Sequence, residues 1–146
     1  MSDGQSGFGT ALKQGDGGSP EAFVAVAEVR NITGPNSTLE TIDVTNHSST
    51  SGFREHVAGL LDGGSVTLEI NYLPENAVQG SGAATGLLGK FENKTKTNFK
   101  LIFGGAGIEW TFTGFYDSFS PSAPIDGALT ASVTIKITGV TTYGGQ

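Results

Sequence analysis

The sequence predicts a mainly β protein, an antiparallel β-sandwich or partial barrel with one or two short flanking α-helices. Six or so segments alternate apolar and polar residues with the two-residue period of a strand. Turn signals built from Gly, Pro, Asn and Asp separate these segments at short spacing. The 146 residues include 23 glycines, about twice the usual share of ~7%, which is typical of a chain with many turns.

Length and composition limit the possible functions. The chain suits one compact domain over residues 21–146, preceded by a polar, glycine-rich arm over residues 1–20 that we expect to be flexible. It has no cysteine, so neither a disulfide framework nor a thiolate site is possible. Fourteen acidic and eight basic residues argue against tight nucleic-acid binding, which needs clustered Lys and Arg. We find no secretory signal and no apolar window near the ~18 residues of a membrane helix, so we expect no membrane partner.

The first part of the domain predicts two strands and a loop. Residues 23–32 predict a strand that is covered on both faces for part of its length, because both parities begin apolar. Gly34-Pro35-Asn36 predicts a turn, and alternation over residues 39–45 predicts a second strand. Residues 46–52 predict a long polar loop without packing side chains.

Two short helices are predicted. The first covers residues 53–61 and ends at Asp62-Gly63-Gly64. Its apolar stripe, at positions i, i+4, i+7 and i+8, is expected to pack on the core and consists of Phe53, Val57, Leu60 and Leu61. The second covers residues 79–94, where Gly86 and Gly89 each weaken the helix by ~1 kcal/mol relative to Ala.

Four further strands complete the predicted sheet structure. They cover residues 65–73, 97–103, 108–116 and 128–139. A glycine-rich connection over residues 104–107 predicts a hairpin between the middle two. The aromatic residues of this hairpin form either a sugar-stacking platform or part of the core, and their alternate spacing favours the core: Phe99, Phe103, Trp110 and Phe112.

The residues predict no catalytic, cofactor or metal site, and therefore no enzyme. The GFGT sequence at residues 7–10 lacks the flanking strand and helix of a dinucleotide-binding loop. His47 and His56 are the only histidines; no nucleophile turn accompanies them, and two His without Cys make a poor zinc site. Glu69 and Glu109 could form a glycosidase pair, but fourteen scattered acids make some pairing inevitable.

One long stretch carries a family resemblance. The sequence FVAVAEVRNITGPNSTLETIDVT at residues 23–45, followed by FREHVAGLLDGGSVTLEINYLP at residues 53–74, resembles the major tail tube protein of lambda-like bacteriophages, which have long, flexible, non-contractile tails. Further matching pieces follow the family's order over nearly the whole chain: GFGT at 7–10 with LK at 12–13, VAEV at 26–29, TGP at 33–35, WTFTG at 110–114 and ASVTIKITG at 131–139. Their order and spacing together carry the resemblance.

The resemblance implies a structural virion protein. Six copies would close into a ring, and rings would stack into the tail tube through which genomic DNA is delivered into the host. The implied partners are further copies of the chain, a tape measure protein, a tail terminator, distal tail proteins, and double-stranded DNA that passes through the lumen without tight binding. No cofactor is implied. The implied location is the virion tail, with the host cytoplasm during assembly.

Two sets of site residues follow from this reading. Each copy carries a formal charge of −6, so acidic side chains on polar strand faces are expected to line the lumen and repel DNA phosphates; the candidates are Glu28, Glu69 and Glu109. The arm and the polar loop are expected to become ordered on assembly and to join subunits or rings through Phe8, Leu12, Lys13, Asn46, His47, Ser48, Ser49, Thr50 and Arg54.

Two alternatives share the predicted fold. One is a related tube protein of a gene-transfer agent or a secretion system, which would use the same ring architecture. The other is a monomeric carbohydrate-binding β-sandwich, which would need an exposed aromatic platform.

Overall fold

The computed structural model describes residues 8–15, 20–26, 28–73, 75, 86–104 and 108–144. Within these residues the elements are β1 (Ala11–Gly15), β2 (Phe23–Ala25), β3 (Val29–Thr33), β4 (Thr38–Asp43), a 3₁₀ turn (Thr50–Gly52), β5 (His56–Asp62), β6 (Ser65–Asn71), α1 (Leu87–Glu92), β7 (Thr97–Phe103), β8 (Ile108–Ser122) and β9 (Thr130–Tyr143). Every strand pairing is antiparallel. The predicted fold class is confirmed.

Seven of the strands form one rolled sheet in the order β2-β1-β7-β8-β9-β6-β3. Strands β2 and β3 lie at its two edges, yet only three residues separate Ala25 from Val29. Those two Cα atoms are therefore within about 14 Å of each other. The edges of a flat seven-stranded sheet would be about 29 Å apart, so the sheet must curl until its edges approach.

The hydrophobic core fills the inside of this roll. Side chains of a strand alternate between its two faces, and the inward set of the central strands is apolar. The fully buried side chains are Leu12, Val66, Leu68, Ile70, Leu87, Phe99, Leu101, Val133 and Ile135. The rings of Phe99 and Phe112 stack at 5.6 Å, and Tyr116 meets Phe99 edge-on at 5.4 Å. The predicted core position is confirmed for Phe99 and Phe112, while Phe103 and Trp110 are partly buried and pack against the core.

The strand predicted over residues 23–32 is divided into β2 and β3 at Glu28. This residue has a φ of 58°, in the left-handed region that costs a non-glycine residue roughly 1 kcal/mol. The Glu28 carbonyl accepts a hydrogen bond from the Asn71 backbone N–H at 2.9 Å, and its Oε2 accepts one from Asn71 Nδ2 at 3.1 Å. These contacts hold the bend at which the chain crosses from one edge of the sheet to the other.

Part of the predicted flexible arm belongs to the core, which corrects the boundary at residue 20. Strand β1 pairs with both β2 and β7, and its Leu12 is fully buried. The Tyr116 hydroxyl donates a hydrogen bond of 2.7 Å to Gln14 Oε1, and burial raises the pKa of Tyr116. The rest of the predicted arm, residues 1–7 and 16–19, lies outside the described residues.

The helix predicted over residues 53–61 is wrong, because most of this segment is strand β5, paired with β4. Its supposed core stripe is exposed: Phe53 by 74%, Val57 by 50%, Leu60 by 80% and Leu61 by 78%. The same apolar spacing fits a helix or a bulged strand, and hydrogen bonding to β4 selects the strand. Of the second predicted helix, Leu87–Glu92 is helical and packs against β8, while residues 79–85 lie outside the described residues.

Candidate self-assembly surface

Strands β4 and β5 form a two-stranded ribbon that is separate from the rolled sheet. Every residue of β4 is exposed, as is every residue of β5 except Gly59. At the base of the ribbon, the Asn36 N–H donates to the Ser65 carbonyl at 3.3 Å. Gly64 closes this base with a φ of 74°, and a side chain there would meet the Asn36 backbone. The two chain segments that enter and leave the ribbon are thus held together where it meets the body of the protein.

The ribbon carries apolar side chains on both of its faces. Leu39 lies opposite Leu61, and Ile42 lies opposite Val57. Because Leu39 and Ile42 are three residues apart on one strand, they point to opposite faces. All four side chains are about half or more exposed in the single subunit. A two-stranded ribbon with apolar residues on both faces is a surface that another chain is expected to cover.

The loop at the tip of the ribbon has a defined conformation in the single subunit, whereas the sequence predicted that it would become ordered only on assembly. The Thr45 N–H donates to Asp43 Oδ1 at 2.9 Å, and the Glu55 N–H donates to Thr45 Oγ1 at 2.7 Å. Ser49 Oγ donates to Glu55 Oε2 at 2.6 Å. The hydrogen bonds from Thr45 are the main cause of a lowered pKa at Asp43, and Arg54 adds an ion pair at 3.2 Å. The tip is therefore a preformed, hydrogen-bonded cap on an apolar ribbon.

A second surface is the outward face of the four strands β3, β6, β9 and β8. It is rich in hydroxyl groups, which follow one another across the strands in rows. One row contains Thr33, Thr67, Thr134 and Ser118, and the next contains Asn31, Glu69, Ser132 and Ser120. Both basic residues of these four strands are paired with acids, Arg30 with Glu69 at 3.4 Å and Lys136 with Asp62 at 3.5 Å. We call this surface the hydroxyl face.

The four-stranded part of the sheet has two free edges. Strand β3 pairs only with β6, so its other edge is open among the described residues. Strand β7 pairs with β8 only up to Gly114, so residues 115–122 have no partner on that side within the described part of the chain. Open strand edges present unpaired backbone N–H and C=O groups that readily pair with another chain.

The structure places the predicted site residues in three groups. Asn46, His47, Ser48, Ser49, Thr50 and Arg54 lie together at the ribbon tip, where sequence analysis placed a contact loop. Phe8 is 91% exposed, while Lys13 is half-buried in β1 and Leu12 points into the core, which removes Leu12 from the exposed contact set. Glu28 and Glu69 share the β3–β6 region of the sheet. Glu109 lies eleven residues before the row of Glu69 on β8, roughly 36 Å away along the strand.

The sequence did not indicate the apolar ribbon or the free edges. The alternation around Leu39 and Ile42 predicts an ordinary strand, and the apolar spacing of residues 53–61 predicts a core helix. The one available signal was that residues 38–62 contain many apolar side chains next to a polar loop, which is compatible with burial in the subunit or between subunits.

Neither a metal centre nor a membrane segment is found in the parts of the chain that the structure describes. No three His, Asp or Glu side chains there come together as a metal site. None of the helices in those parts is long and apolar enough to cross a bilayer.

Comparison with known proteins identifies the family. The family model described as lambda phage tail tube protein, TTP, matches residues 7–144. No curated protein sequence matches the chain.

Similar folds occur in solved tail structures. The chain is similar to a chain in the tail of an empty gene transfer agent particle with C6 symmetry (20% identity, 96% of this chain and 98% of that chain covered, TM-score 0.70). It is also similar to a chain from the sheath/tube terminator of an extracellular contractile injection system (13% identity, 98% and 98%, TM-score 0.69). A third similar structure is the SPP1 tail tube (11% identity, 94% and 77%, TM-score 0.68). At these identities the likeness shows a common fold. Because the family model spans nearly the whole chain, this chain belongs to the lambda phage tail tube protein family.

Proposed function

We propose that six copies of this chain close into a ring, and that stacked rings form the wall of a phage tail tube through which double-stranded DNA passes. The chain acts as a structural component of the virion tail and not as a catalyst. Six is the rotational symmetry of the similar gene transfer agent tail.

The observation that carries this proposal is the pair of free edges on the four-stranded sheet. The strands alternate in direction from β3 through β6 and β9 to β8. Because four is an even number, the free edge of β8 in one copy is antiparallel to the free edge of β3 in the next. Each junction can therefore continue the antiparallel pairing, and the ring leaves no open edge.

The dimensions of such a ring suit a DNA conduit. Six copies of four strands give 24 strands, and a spacing of ~4.8 Å makes a wall about 115 Å around and about 37 Å in diameter before strand tilt widens it. This bore is wide enough for a duplex. If the hydroxyl face lines the bore, DNA meets hydroxyl side chains, which form weak polar contacts, and not a row of Lys and Arg side chains that would hold the phosphates.

The acidic candidates have unequal support as lumen residues. Glu69 lies on β6, a strand of the hydroxyl face, and neutralises Arg30 there, while Glu28 lies just before β3 and is hydrogen-bonded to Asn71 of β6. Glu109 lies at the far end of β8, beside the glycine-rich β7–β8 connection. It would face the lumen only if the wall of the tube extends along β8 as far as this end. All three would repel phosphates in the lumen.

Hydrogen–deuterium exchange of assembled tubes and of dissociated subunits tests the ring. We expect peptides that cover Val29–Thr33 and residues 115–122 to gain protection in tubes, because their open amides become paired. Strand β7 is a matched control, since β1 and β8 already flank it in the single subunit. Equal exchange of the two edges in tubes and subunits would contradict this ring, as would electron-microscopy end views without six-fold symmetry.

The proposal extends to the other tail components. The exposed ribbon tip and Phe8 would contact neighbouring subunits, and the end rings would meet a tail terminator and distal tail proteins. A tape measure protein would occupy the lumen before DNA enters. Assembly would take place in the host cytoplasm before the tail joins the particle.

A gene transfer agent tube is the second candidate, favoured by the similarity to gene transfer agent tails over 96% of the chain. Mass spectrometry of purified particles together with sequencing of their packaged DNA separates the two. A phage tail would accompany one viral genome, and a gene transfer agent would accompany fragments of host DNA.

A further inference from the structure

An apolar loop lies at one end of the longest hairpin of the fold. Residues 123–129 connect β8 to β9 and include Ala123, Pro124, Ile125 and Leu129. The Ile125 side chain is fully exposed, and Leu129 is 38% exposed. Connecting loops on a protein surface are normally built from polar and turn-forming residues, so an apolar tip of this kind indicates a contact with another molecule.

An apolar groove lies towards the other end of β9. It measures about 860 Å³ and runs between the base of the β4–β5 ribbon and the last part of β9. The exposed apolar side chains that line it are Leu39, Leu60, Leu61, Val140 and Tyr143. Its volume is in the range of clefts that bind ligands.

A β-bulge in β9 turns the side chain of Val140 outward on one wall of the groove. Thr111 pairs with Thr142 and Thr113 with Thr138, so three residues of β9 lie opposite Phe112 alone. Gly139, the first of the three, has a φ of 83°, and Val140 next to it is 81% exposed. Bulges that re-aim a side chain are typical of functional sites in sheets.

The tip and the groove cannot meet within one subunit. Leu129 and Val140 are eleven residues apart along β9, which corresponds to roughly 36 Å in an extended strand. In the proposed ring the strands of the wall run between its two faces, so the tip lies at one face and the groove towards the other. A surface at one end that fits a different surface at the other end gives a head-to-tail contact, which repeats without closing and builds an open stack.

We propose that the apolar tip at residues 123–129 of one copy inserts into the groove beside Val140 of a copy in the adjacent ring, with Ile125 as the inserted side chain. The occupant of the groove is therefore a second copy of this chain. This inference rests on the proposed tube, in which every ring meets an identical ring. The contact sets the direction of stacking, since each ring offers tips on one face and grooves on the other.

Cysteine cross-linking tests the contact directly, because the natural chain contains no cysteine. The full-length double variant Ile125→Cys/Val140→Cys is assembled and treated with a short bifunctional maleimide. We expect a ladder of covalent multimers from tubes, and monomers only from each single variant. The pair Ile125→Cys/Ser132→Cys is the matched control and should give no ladder, since Ser132 lies on the hydroxyl face.

The possible outcomes separate this inference from the proposed function. Tubes that form normally but give no ladder would overturn the tip-and-groove contact and leave the tube intact. If the unmodified chain never forms tubes, the proposed function itself fails. A cross-link that joins the Ile125→Cys variant only to another tail protein would also overturn the inference.

A mixing experiment tests the polarity of the contact. Ile125→Asp disrupts the tip and leaves the groove, while Val140→Asp does the reverse, and thermal melting is used to check that both variants are folded. We expect each variant alone to pellet as tubes at least tenfold less than the unmodified chain. A mixture should form paired rings, because one intact tip face can still meet one intact groove face. Tubes of ordinary length from either variant alone, or a mixture that contains only single rings, would refute the contact.

Discussion

The exposed ribbon gives the most direct test of how subunits recognise one another. We consider the double variant Phe53→Ser/Val57→Thr, which removes apolar surface from the ribbon and its tip without touching the core. Phe53 is 74% and Val57 is 50% exposed in the single subunit. Threonine keeps the β-branched shape that suits a strand, so the ribbon itself is expected to persist.

The expected size of the effect follows from these exposures. Complete burial of a large apolar side chain contributes about 1.5–3 kcal/mol, so covering the exposed parts of both side chains contributes about 3 kcal/mol per subunit. Each 1.4 kcal/mol is a factor of ten in an equilibrium constant. Loss of about 3 kcal/mol in the double variant should therefore raise the critical concentration for assembly about 10²-fold. The melting temperature of the subunit should hardly change, because substitutions of exposed residues are usually within ±0.5 kcal/mol.

The assay is sedimentation of tubes over a range of protein concentrations, with circular dichroism melting of the unassembled subunit. Thr41→Ser, at an exposed position of the same ribbon that is not apolar, is the control and should assemble like the unmodified chain. A critical concentration within threefold of the unmodified value would show that the ribbon stays in contact with water in the tube. The reasoning from exposed apolar area would then be refuted.

Three further predictions follow from individual contacts. Tyr116→Phe should lower the free energy of unfolding by about 1–3 kcal/mol, because the buried hydrogen bond from the Tyr116 hydroxyl to Gln14 Oε1 is lost. In a denaturant titration the double variant with Gln14→Leu should regain part of this loss, and a double variant as unstable as the sum of the two single variants would contradict the prediction. Acid should loosen the ribbon tip, because the pKa of Asp43 in the folded protein is lowered below its usual 3.8. The stabilisation that ionised Asp43 provides is present above pH 3.8 and is lost as the pH falls through the lowered pKa. The NMR shift of the Thr45 amide should follow this change, and Asp43→Asn should abolish it. Glu69→Gln frees its partner arginine on the hydroxyl face, so tubes of this variant should retain more DNA at low salt and release it as salt rises; unchanged retention would place this face outside the lumen.

The core strands were predictable because their signal is local. Val66, Leu68 and Ile70 alternate with polar residues and are all fully buried, as a strand with one covered face requires. The same holds for β9, whose inward residues include Val133 and Ile135. In these segments the pattern that identifies a strand and the burial that stabilises it come from the same subunit.

The ribbon was not predictable because its apolar residues are not buried in the subunit that carries them. Phe53, Val57, Leu60 and Leu61 satisfy the spacing of a helix stripe, and a core helix is the usual reason for such spacing. Here the strand is selected by pairing with β4, which begins eighteen residues before β5. The local pattern does not indicate strand β1 for a related reason: its contacts are distant in sequence, and the hydrogen bond between Gln14 and Tyr116 joins residues 102 positions apart.

In the proposed tube, the residues that form the core and the residues expected to contact other copies are different, so a single subunit is expected to fold before it assembles. The buried apolar core draws on β1, β6, β7, β8, β9, α1 and Val26, and none of it comes from the β4–β5 ribbon. The ribbon and the β8–β9 tip instead hold apolar side chains that are expected to gain stability only against another copy. A ribbon with a bulge and a polar, hydrogen-bonded tip is a poor template for indiscriminate edge pairing. We therefore expect subunits to remain folded and unassembled until a growing ring face offers the complementary surface. The rate of growth should then depend on the concentration of subunits, because no subunit has to refold.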